Sequence, residues 1–298
     1  MATGQPGIFA QGTRAHHHLE LDLRPGVGAR ELTDALAALR EPAVTVGGLN
    51  IVIGLGSEAW ALLAPEGARP GALRPFDPVG DGAPATQHDV WIWLHGTGTD
   101  VLLDGARAAA AALAPVAHLA QECPGFVYHD SRDLTGFIDG TANPEVHEAP
   151  EVALIEDGAP AEGGAYALAM RWVHDLEKFH ALPMVEQEKV IGRTKPDSVE
   201  LGDDVKPPTA HIARVELEED GEELELWRRS VPYGTVEEHG LFFVAFSADI
   251  ARFDKMLARM FGTSGDGLHD RLTEFTRPVS GAYYFAPSLE ALEEVCAR

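Results

Sequence analysis

Segments with strand-like alternation and segments with helical periodicity succeed one another along both halves of this sequence. In the first half, strands are predicted at residues 16–23, 49–55 and 90–95, and helices at 28–40 and 104–119. In the second half, strands are predicted at residues 165–173, 211–217, 224–230, 241–246 and 282–285, and helices at 250–261 and 268–275. This order favours an α+β fold of two similar halves, each an antiparallel sheet covered by helices.

The length of 298 residues is sufficient for two domains, each with a core of its own. Residues 144–164 are rich in Pro, Gly and acidic side chains, a composition typical of an exposed connection. We therefore predict one domain over residues 1–144 and a second over residues 145–298. Residues 194–208 form a second long loop before His211, and long loops in compact domains are often functional.

The charge balance argues against nucleic acid and anionic membranes as partners. The chain has 47 acidic residues against 23 Lys plus Arg, which gives a formal net charge of -24. A surface of this sign repels polyanions over the Debye length. Several arginines in the second half could still form a local positive pocket, because net charge does not determine the charge of a site.

The cysteines and the apolar runs indicate a cytoplasmic protein without a membrane span. Only two cysteines are present, Cys123 and Cys296, which argues against a disulfide scaffold or a zinc ribbon. The first residues have no basic segment followed by an apolar run, as an export signal would. No uninterrupted apolar stretch reaches the roughly 18 residues of a membrane-spanning helix.

Three segments contain candidate catalytic residues. Residues 136–144, GFIDGTANP, place Asp139 on a tight turn between glycines, although Asp-Gly is also an ordinary turn dipeptide. Downstream, the segment HIARV begins with His211, and the segment RRSVPYG begins with Arg228. On position alone, a strand histidine is more often a core residue than a ligand. An acid, a histidine and an arginine in this order nevertheless form a set suited to proton transfer.

Together these segments resemble the B class of the dye-decolorising peroxidase family, and the resemblance extends from residues 11–18 to residues 281–287. It implies two ferredoxin-like domains in a dimeric α/β barrel-like arrangement, with heme b (iron protoporphyrin IX) held mainly by the C-terminal domain. It also implies an enzyme that reduces hydrogen peroxide while oxidising dyes, phenols or other one-electron donors. A homo-oligomer, such as a hexamer, is a further implication of the resemblance. The C-terminal residues lack the Gly/Leu-rich tail that carries some relatives into encapsulating shells, so encapsulation is not expected.

The resemblance assigns the iron ligand to His211. A ligating imidazole donates its second ring N–H to an acceptor that raises its basicity, and Asp270 is our candidate for that acceptor. Asp270 could instead be an acid favoured by a helix N-terminus. Arg193, in VIGRTK, matches the arginine that binds a heme propionate, and its alternative is an ordinary loop charge.

Asp139 and Arg228 match the family's distal pair. Asp139 is the acid/base candidate and Arg228 the electrostatic one, since arginine is effectively always protonated. Arg229 is predicted to point to the other face of its strand as a solvated charge. Ser230 is included with the catalytic residues, although the B class often has Asn there, and Ala142 stands where many relatives have an acid.

The histidine triplet and His174 are interpreted as structural and not as catalytic. The triplet of residues 16–18, His-His-His, suggests packing or a domain contact more than a metal site, because no acidic or cysteine partner has metal-ligand spacing. His174 also matches the family and is interpreted as structural or pocket-lining. Two alternative functions remain open from sequence: a heme-handling protein for iron release or heme delivery, and a non-catalytic heme-binding module.

Overall fold

The computed structural model of the protein describes residues 2–40, 48–219 and 221–297. The strands of these ranges are β1 (Ala15–Leu23), β2 (Asn50–Leu55), β3 (Val90–Gly96), β4 (Ala117–Phe126), β5 (Ala165–His174), β6 (Glu218–Glu219), β7 (Glu222–Glu223), β8 (Trp227–Arg228), β9 (Val231–Gly234), β10 (His239–Ser247), β11 (Thr276–Pro278) and β12 (Ala282–Ala286). The α-helices are α1 (Ala29–Arg40), α2 (Ser57–Leu63), α3 (Thr99–Leu113), α4 (Ala149–Ala153), α5 (Leu176–His180), α6 (Met184–Ile191), α7 (His211–Val215), α8 (Ile250–Met260) and α9 (Leu289–Cys296).

Eight antiparallel strands close into one barrel in the order β5-β12-β2-β3-β1-β4-β9-β10, and β10 pairs again with β5. The two halves of the chain meet at two seams, where Phe285 is opposite Leu55 and Gly125 is opposite Tyr233. Strands β8 and β11 extend the sheet beside β10 and β5. The two predicted sheets are therefore joined in a single closed sheet, which leaves the barrel strands without free edges.

Aromatic rings and histidines fill the inside of the barrel. Alternate residues of β1 and β3 point inward, and the rings of Trp93 and His95 stack with centroids 4.1 Å apart. His18 stacks on Phe242 of β10 at 4.0 Å. His17 faces the other way and pairs with Glu122 at 2.6 Å. The histidine triplet is thus used for packing and for one hydrogen bond to a carboxylate, and no possible metal site of three or more ligands is found among the described residues.

The outside of the barrel is covered by helices, with α3 against β1 and β3 and α8 against β5. Helix α8 is held at its N-terminus by Asp249, whose side chain accepts a hydrogen bond from the backbone N–H of Ala251. Its buried face includes Phe253, Met256, Leu257 and Met260. Within the described ranges no helix combines the length and apolar character that crossing a membrane requires.

The predicted strand at residues 211–217 is wrong, because His211 begins the five-residue helix α7. A helix this short has too few residues for its period to be distinguished from strand-like alternation. The predicted helix at 268–275 is also wrong in kind. It is reduced to a 3-10 turn over Arg271–Glu274 that begins after Asp270.

Two further predictions were wrong in extent. The predicted strand at 224–230 is limited to the two residues of β8, since it pairs with β10 only at Trp227 and Arg228. The predicted helix at 104–119 ends at Leu113, and β4 begins at Ala117. Strand β4 was not predicted, because Pro and Gly lie near its end and its outer face is largely exposed.

Candidate active site

A cavity lies outside the barrel, between β5, β10 and the helices α7 and α8. Its wall is mostly apolar and includes Met170, Trp172, Leu241, Phe243, Met256 and Met260. Three polar residues predicted for the site, Asp139, His211 and Arg228, line this same cavity. The fold thus brings together side chains from a loop, a helix N-terminus and a strand. The sequence also led us to expect six apolar side chains around the site. Four of them, Leu241, Phe243, Met256 and Met260, line the cavity, whereas Phe246 and Phe261 are not among its described lining residues.

His211 is oriented by a buried carboxylate. Its Nδ1 lies 2.6 Å from Oδ2 of Asp270, whose side chain is 0% exposed. The other oxygen of Asp270 accepts a hydrogen bond of 2.8 Å from the backbone N–H of Leu272. Asp270 therefore makes both contacts that its two interpretations require, because one oxygen caps the 3-10 turn and the other contacts the imidazole. With Nδ1 donating to Asp270, Nε2 carries the free lone pair.

Asp139 is fixed by a tight turn. Its backbone N–H donates to the carbonyl of Ser131 at 2.9 Å, and the N–H of Gly140 donates to its Oδ1 at 2.8 Å. Gly136 and Gly140 have φ values of 89° and 78°, which glycine adopts without a steric penalty. The carboxyl is accessible through the cavity, yet protein atoms surround it. This desolvation, together with the charge of Asp133, raises the pKa of Asp139 against the opposing effect of Arg228.

Arg228 is held by Asn143. The backbone N–H of Arg228 donates to Asn143 Oδ1 at 2.9 Å, and Asn143 Nδ2 donates to the Arg228 carbonyl at 2.9 Å. The guanidinium also donates to the carbonyl of Ala142. Burial lowers the pKa of Arg228, and the nearby charge of Asp139 opposes that shift. The group remains a cation at neutral pH because arginine starts from so high a pKa.

A second, more polar cavity shares Asp139 and Arg228 with the first. Ser230 lines this second cavity, and its hydroxyl oxygen accepts a hydrogen bond of 3.2 Å from the backbone N–H of Val244. Asp139 and Arg228 therefore stand between an apolar space and a polar one. Ser230 contributes to the polar side.

Arg229 differs from the expectation of a solvated charge. Its Nη2 donates to the carbonyl of Ala10 at 2.6 Å, and its guanidinium lies 5.4 Å from the ring centre of Trp93. Burial lowers the pKa of Arg229 to about 10. Its side chain does leave the face used by Arg228, but that direction leads into the barrel's aromatic core.

Arg193 is not among the described residues that line the apolar cavity. Its guanidinium donates to the carbonyl of Ser198 and to Glu216 Oε1, each at 3.1 Å. The guanidinium of Arg193 is thus already hydrogen-bonded to a protein carboxylate, that of Glu216.

Three polar residues near the site were not predicted from sequence to be catalytic or heme-binding. Asn143 holds Arg228, and Asp133 and His174 line the apolar cavity beside Asp139. Asn143 and Asp133 flank the Asp139 turn in sequence, so proximity was the available signal. His174 lies on β5, far from that turn in sequence, and its predicted pocket-lining position is confirmed.

Comparisons with known proteins agree with this geometry. The family model described as Dyp-type peroxidase, N-terminal, matches residues 5–127, and the C-terminal model matches residues 130–291. A dye-decolorizing peroxidase of Rhodococcus erythropolis is 36% identical over 258 residues, which cover 84% of this chain and 75% of that protein.

Solved structures give the same result. A putative Dyp-type peroxidase of Shewanella oneidensis superimposes with a TM-score of 0.93 at 35% identity, over 99% of each chain. A DypB variant of Rhodococcus jostii RHA1, solved in complex with heme, has a TM-score of 0.89 at 32% identity. That match covers 95% of this chain and 96% of the other.

Proposed function

This chain belongs to the Dyp-type, or dye-decolorizing, peroxidase family, and we propose that it is a heme peroxidase that reduces hydrogen peroxide with electrons from dyes, phenols or similar donors. The observation that carries this proposal is the shared cavity. It is lined by a carboxylate-bound histidine, an acid and a buried arginine. Peroxide cleavage by iron needs a basic axial ligand, a proton carrier and a positive charge.

The residues present fit heme b. His211 offers Nε2 to a metal, and Asp270 fixes the tautomer through Nδ1 at 2.6 Å. The apolar wall suits a porphyrin ring, which is itself largely apolar. When bound, heme supplies an iron that coordinates peroxide and passes its oxidising equivalents to reducing substrates.

Asp139 and Arg228 have different roles toward the substrate, as proton carrier and as positive charge. The Asp139 carboxylate would accept a proton from the peroxide oxygen that binds the iron and return it to the other oxygen, which would leave as water. The heme would keep the first oxygen and supply the two electrons for the cleavage. Arg228 stabilises the negative charge that develops on the separating oxygen. Its hydrogen bonds to Asn143 and Ala142 hold it in place before the reaction, so little reorganisation is required.

Ser230 and Arg193 have supporting roles in this proposal. Ser230 would help to order water in the polar cavity next to Asp139. Arg193 would bind a heme propionate, for which the propionate has to replace or share the contact with Glu216. Arg193 is close enough to Arg228 for its charge to affect that residue's pKa, which supports a position near the heme.

Rapid mixing of the heme-loaded protein with one equivalent of hydrogen peroxide tests the proposal. Asp139→Asn should slow the peroxide-dependent change in the Soret band by about 10²- to 10⁴-fold, because the proton carrier is lost. Asp104→Asn is the matched control, since that acid is on α3 with its side chain 82% exposed. An unchanged rate in Asp139→Asn would contradict the distal assignment and favour heme handling.

We also propose that the barrel is built from two ferredoxin-like halves, with domains over residues 1–144 and 145–298. In the first half the strands lie in the order β2-β3-β1-β4. In the second half the order is β12-β5-β10-β9. In each half, the strand that comes first in the chain lies between the third and the fourth strand of that half. Such repetition supports two units of the same β-α-β-β-α-β type.

The assembly and location of the protein complete the proposal. We propose a homo-oligomer, with a hexamer as the expected form, on the basis of the family. A cytoplasmic location is supported by Cys123 and Cys296, which are both unpaired.

A further inference from the structure

We propose that Asp133 and His174 form a buried ion pair that positions Asp139 and sets the pH range in which Asp139 can accept a proton. The inference deepens the proposed function and rests on it, because it concerns the proton carrier of that reaction. Neither residue needs to touch the substrate. Both are positioning residues that act through Asp139.

The pair is well defined by its contacts. Asp133 Oδ1 lies 3.0 Å from His174 Nε2, and the two side chains are 17% and 6% exposed. The second oxygen of Asp133 accepts hydrogen bonds from the backbone N–H and the hydroxyl of Thr135, at 2.9 and 2.6 Å. His174 Nδ1 lies 2.7 Å from the hydroxyl oxygen of Thr276. Both ring nitrogens and both carboxylate oxygens are therefore engaged.

The pair also connects the Asp139 turn to the barrel. The backbone N–H of Asp133 donates to the carbonyl of Phe137 at 2.9 Å, and the N–H of Gly136 donates back to the Asp133 carbonyl at 2.8 Å. Asp133 is thus part of the same compact turn as Asp139. Since His174 is the last residue of β5, the ion pair anchors that turn to a strand of the closed sheet.

The charges of the pair bear directly on Asp139. Burial alone would raise the pKa of Asp133, but the charge and hydrogen bond of His174, with the hydrogen bonds of Thr135, lower it to about 2. Asp133 is therefore an anion at working pH, and its charge helps to raise the pKa of Asp139. The hydroxyl of Thr276 donates to the carbonyl of Val173 at 3.3 Å, so it accepts from Nδ1 of His174. With Nε2 donating to Asp133, both ring nitrogens of His174 carry a proton, and the resulting positive charge offsets part of the charge of Asp133.

The other charged groups around Asp139 are shared by every variant of the pair. Arg228 and His211 face it across the apolar cavity, and both lower its pKa. The polar cavity that Asp139 also lines contains His16, Arg14, Arg132 and Arg229. Because these groups are unchanged in Asp133 and His174 variants, a shift in the titration of Asp139 reports on the pair.

The two partners have opposite charges, so their removal has opposite effects. Asp133→Asn removes a negative charge and should lower the titration midpoint of Asp139 by about one pH unit. His174→Gln keeps an N–H donor but removes the positive charge, and should raise the midpoint by a similar amount. The double variant should return it close to that of the unmodified protein, because the two charge changes cancel.

The midpoint is measured by infrared spectroscopy of the heme-loaded protein across pH. The carboxylic acid band of Asp139 is identified as the band that Asp139→Asn removes. In parallel, the rate with hydrogen peroxide is measured across the same range. Since the carboxylate is the reactive form, the rate should fall as pH drops through the midpoint of each variant.

Equal midpoints in all variants, or shifts in the same direction for both single variants, would overturn the inference. A purely structural pair would lower the rate without moving the midpoint. Shifted midpoints with a peroxide rate that does not depend on Asp139 would support the pair and contradict the proposed function instead. Thr276→Val removes the hydroxyl that His174 Nδ1 contacts, which disfavours the protonated imidazole. This variant should therefore shift the titration midpoint of Asp139 upward, as His174→Gln does. It tests the inference if the Asp133 and His174 variants do not fold.

Discussion

Replacing Asp270 by Asn should weaken the binding of heme without unfolding the protein. The carboxylate meets the imidazole of His211 at 2.6 Å and is 0% exposed, so no water can replace it there. Asn offers one carbonyl oxygen and one NH₂ group in place of two acceptors. If the oxygen stays with the Leu272 N–H, the NH₂ group faces Nδ1 and favours the tautomer with its proton on Nε2. That tautomer cannot bind a metal through Nε2.

The size of the effect follows from the kind of bond that is lost. Outer partners of metal-bound histidines are worth about 10- to 100-fold in affinity, or about 1.4 to 2.8 kcal/mol. Heme is titrated into each protein while the Soret absorbance is followed, and thermal unfolding is recorded on the same samples. We expect Asp270→Asn to show a weaker and spectrally altered complex.

Asp249→Asn is the matched control. Asp249 also caps a helix, with its side chain accepting from the N–H of Ala251 at 2.9 Å, but it is not among the residues that line the cavity. It should lose about 1 kcal/mol of stability or less and keep its affinity for heme. Unchanged affinity and an unchanged spectrum in Asp270→Asn would refute the assignment of Asp270 as the partner of the iron ligand.

Three further outcomes are expected. Asn143→Ala should lower the free energy of unfolding in urea by about 2 kcal/mol and slow the peroxide reaction, because two hydrogen bonds to the Arg228 backbone are lost. An unchanged reaction rate would mean that these hydrogen bonds do not position the guanidinium. Phe246→Ala should cost about 3 to 5 kcal/mol, since the ring is 0% exposed, whereas Val236→Ala, at a side chain 97% exposed, should change the unfolding free energy by less than about 0.5 kcal/mol. The pKa of Asp133 lies at about 2, below its unfolded value, so its stabilisation is present above about pH 4 and is lost as pH falls towards 2. The difference in unfolding free energy between the unmodified protein and Asp133→Asn should accordingly narrow over that range, and a constant difference would contradict the ion pair.

Local patterns in the sequence predicted much of the barrel. Alternation and short apolar runs identified β1, β2, β3, β5, β10 and β12, and helical periodicity identified α1 and α8. These signals depend on neighbouring residues only. They fail where an element is too short to show a period, as in α7, or where its outer face is exposed and its end contains Pro and Gly, as in β4.

The sequence by itself pointed to Asp139, His211 and Arg228 as candidate site residues and to the turn that carries the acid, because turn chemistry is local. Only the tertiary structure decided their partners. Asp133 meets His174 across 41 positions, His211 meets Asp270 across 59, and Asn143 meets Arg228 across 85. Closure of the barrel brings such distant segments together. It also decides that Arg229 is buried, since the direction of a strand side chain has meaning only once the two faces of the sheet are known.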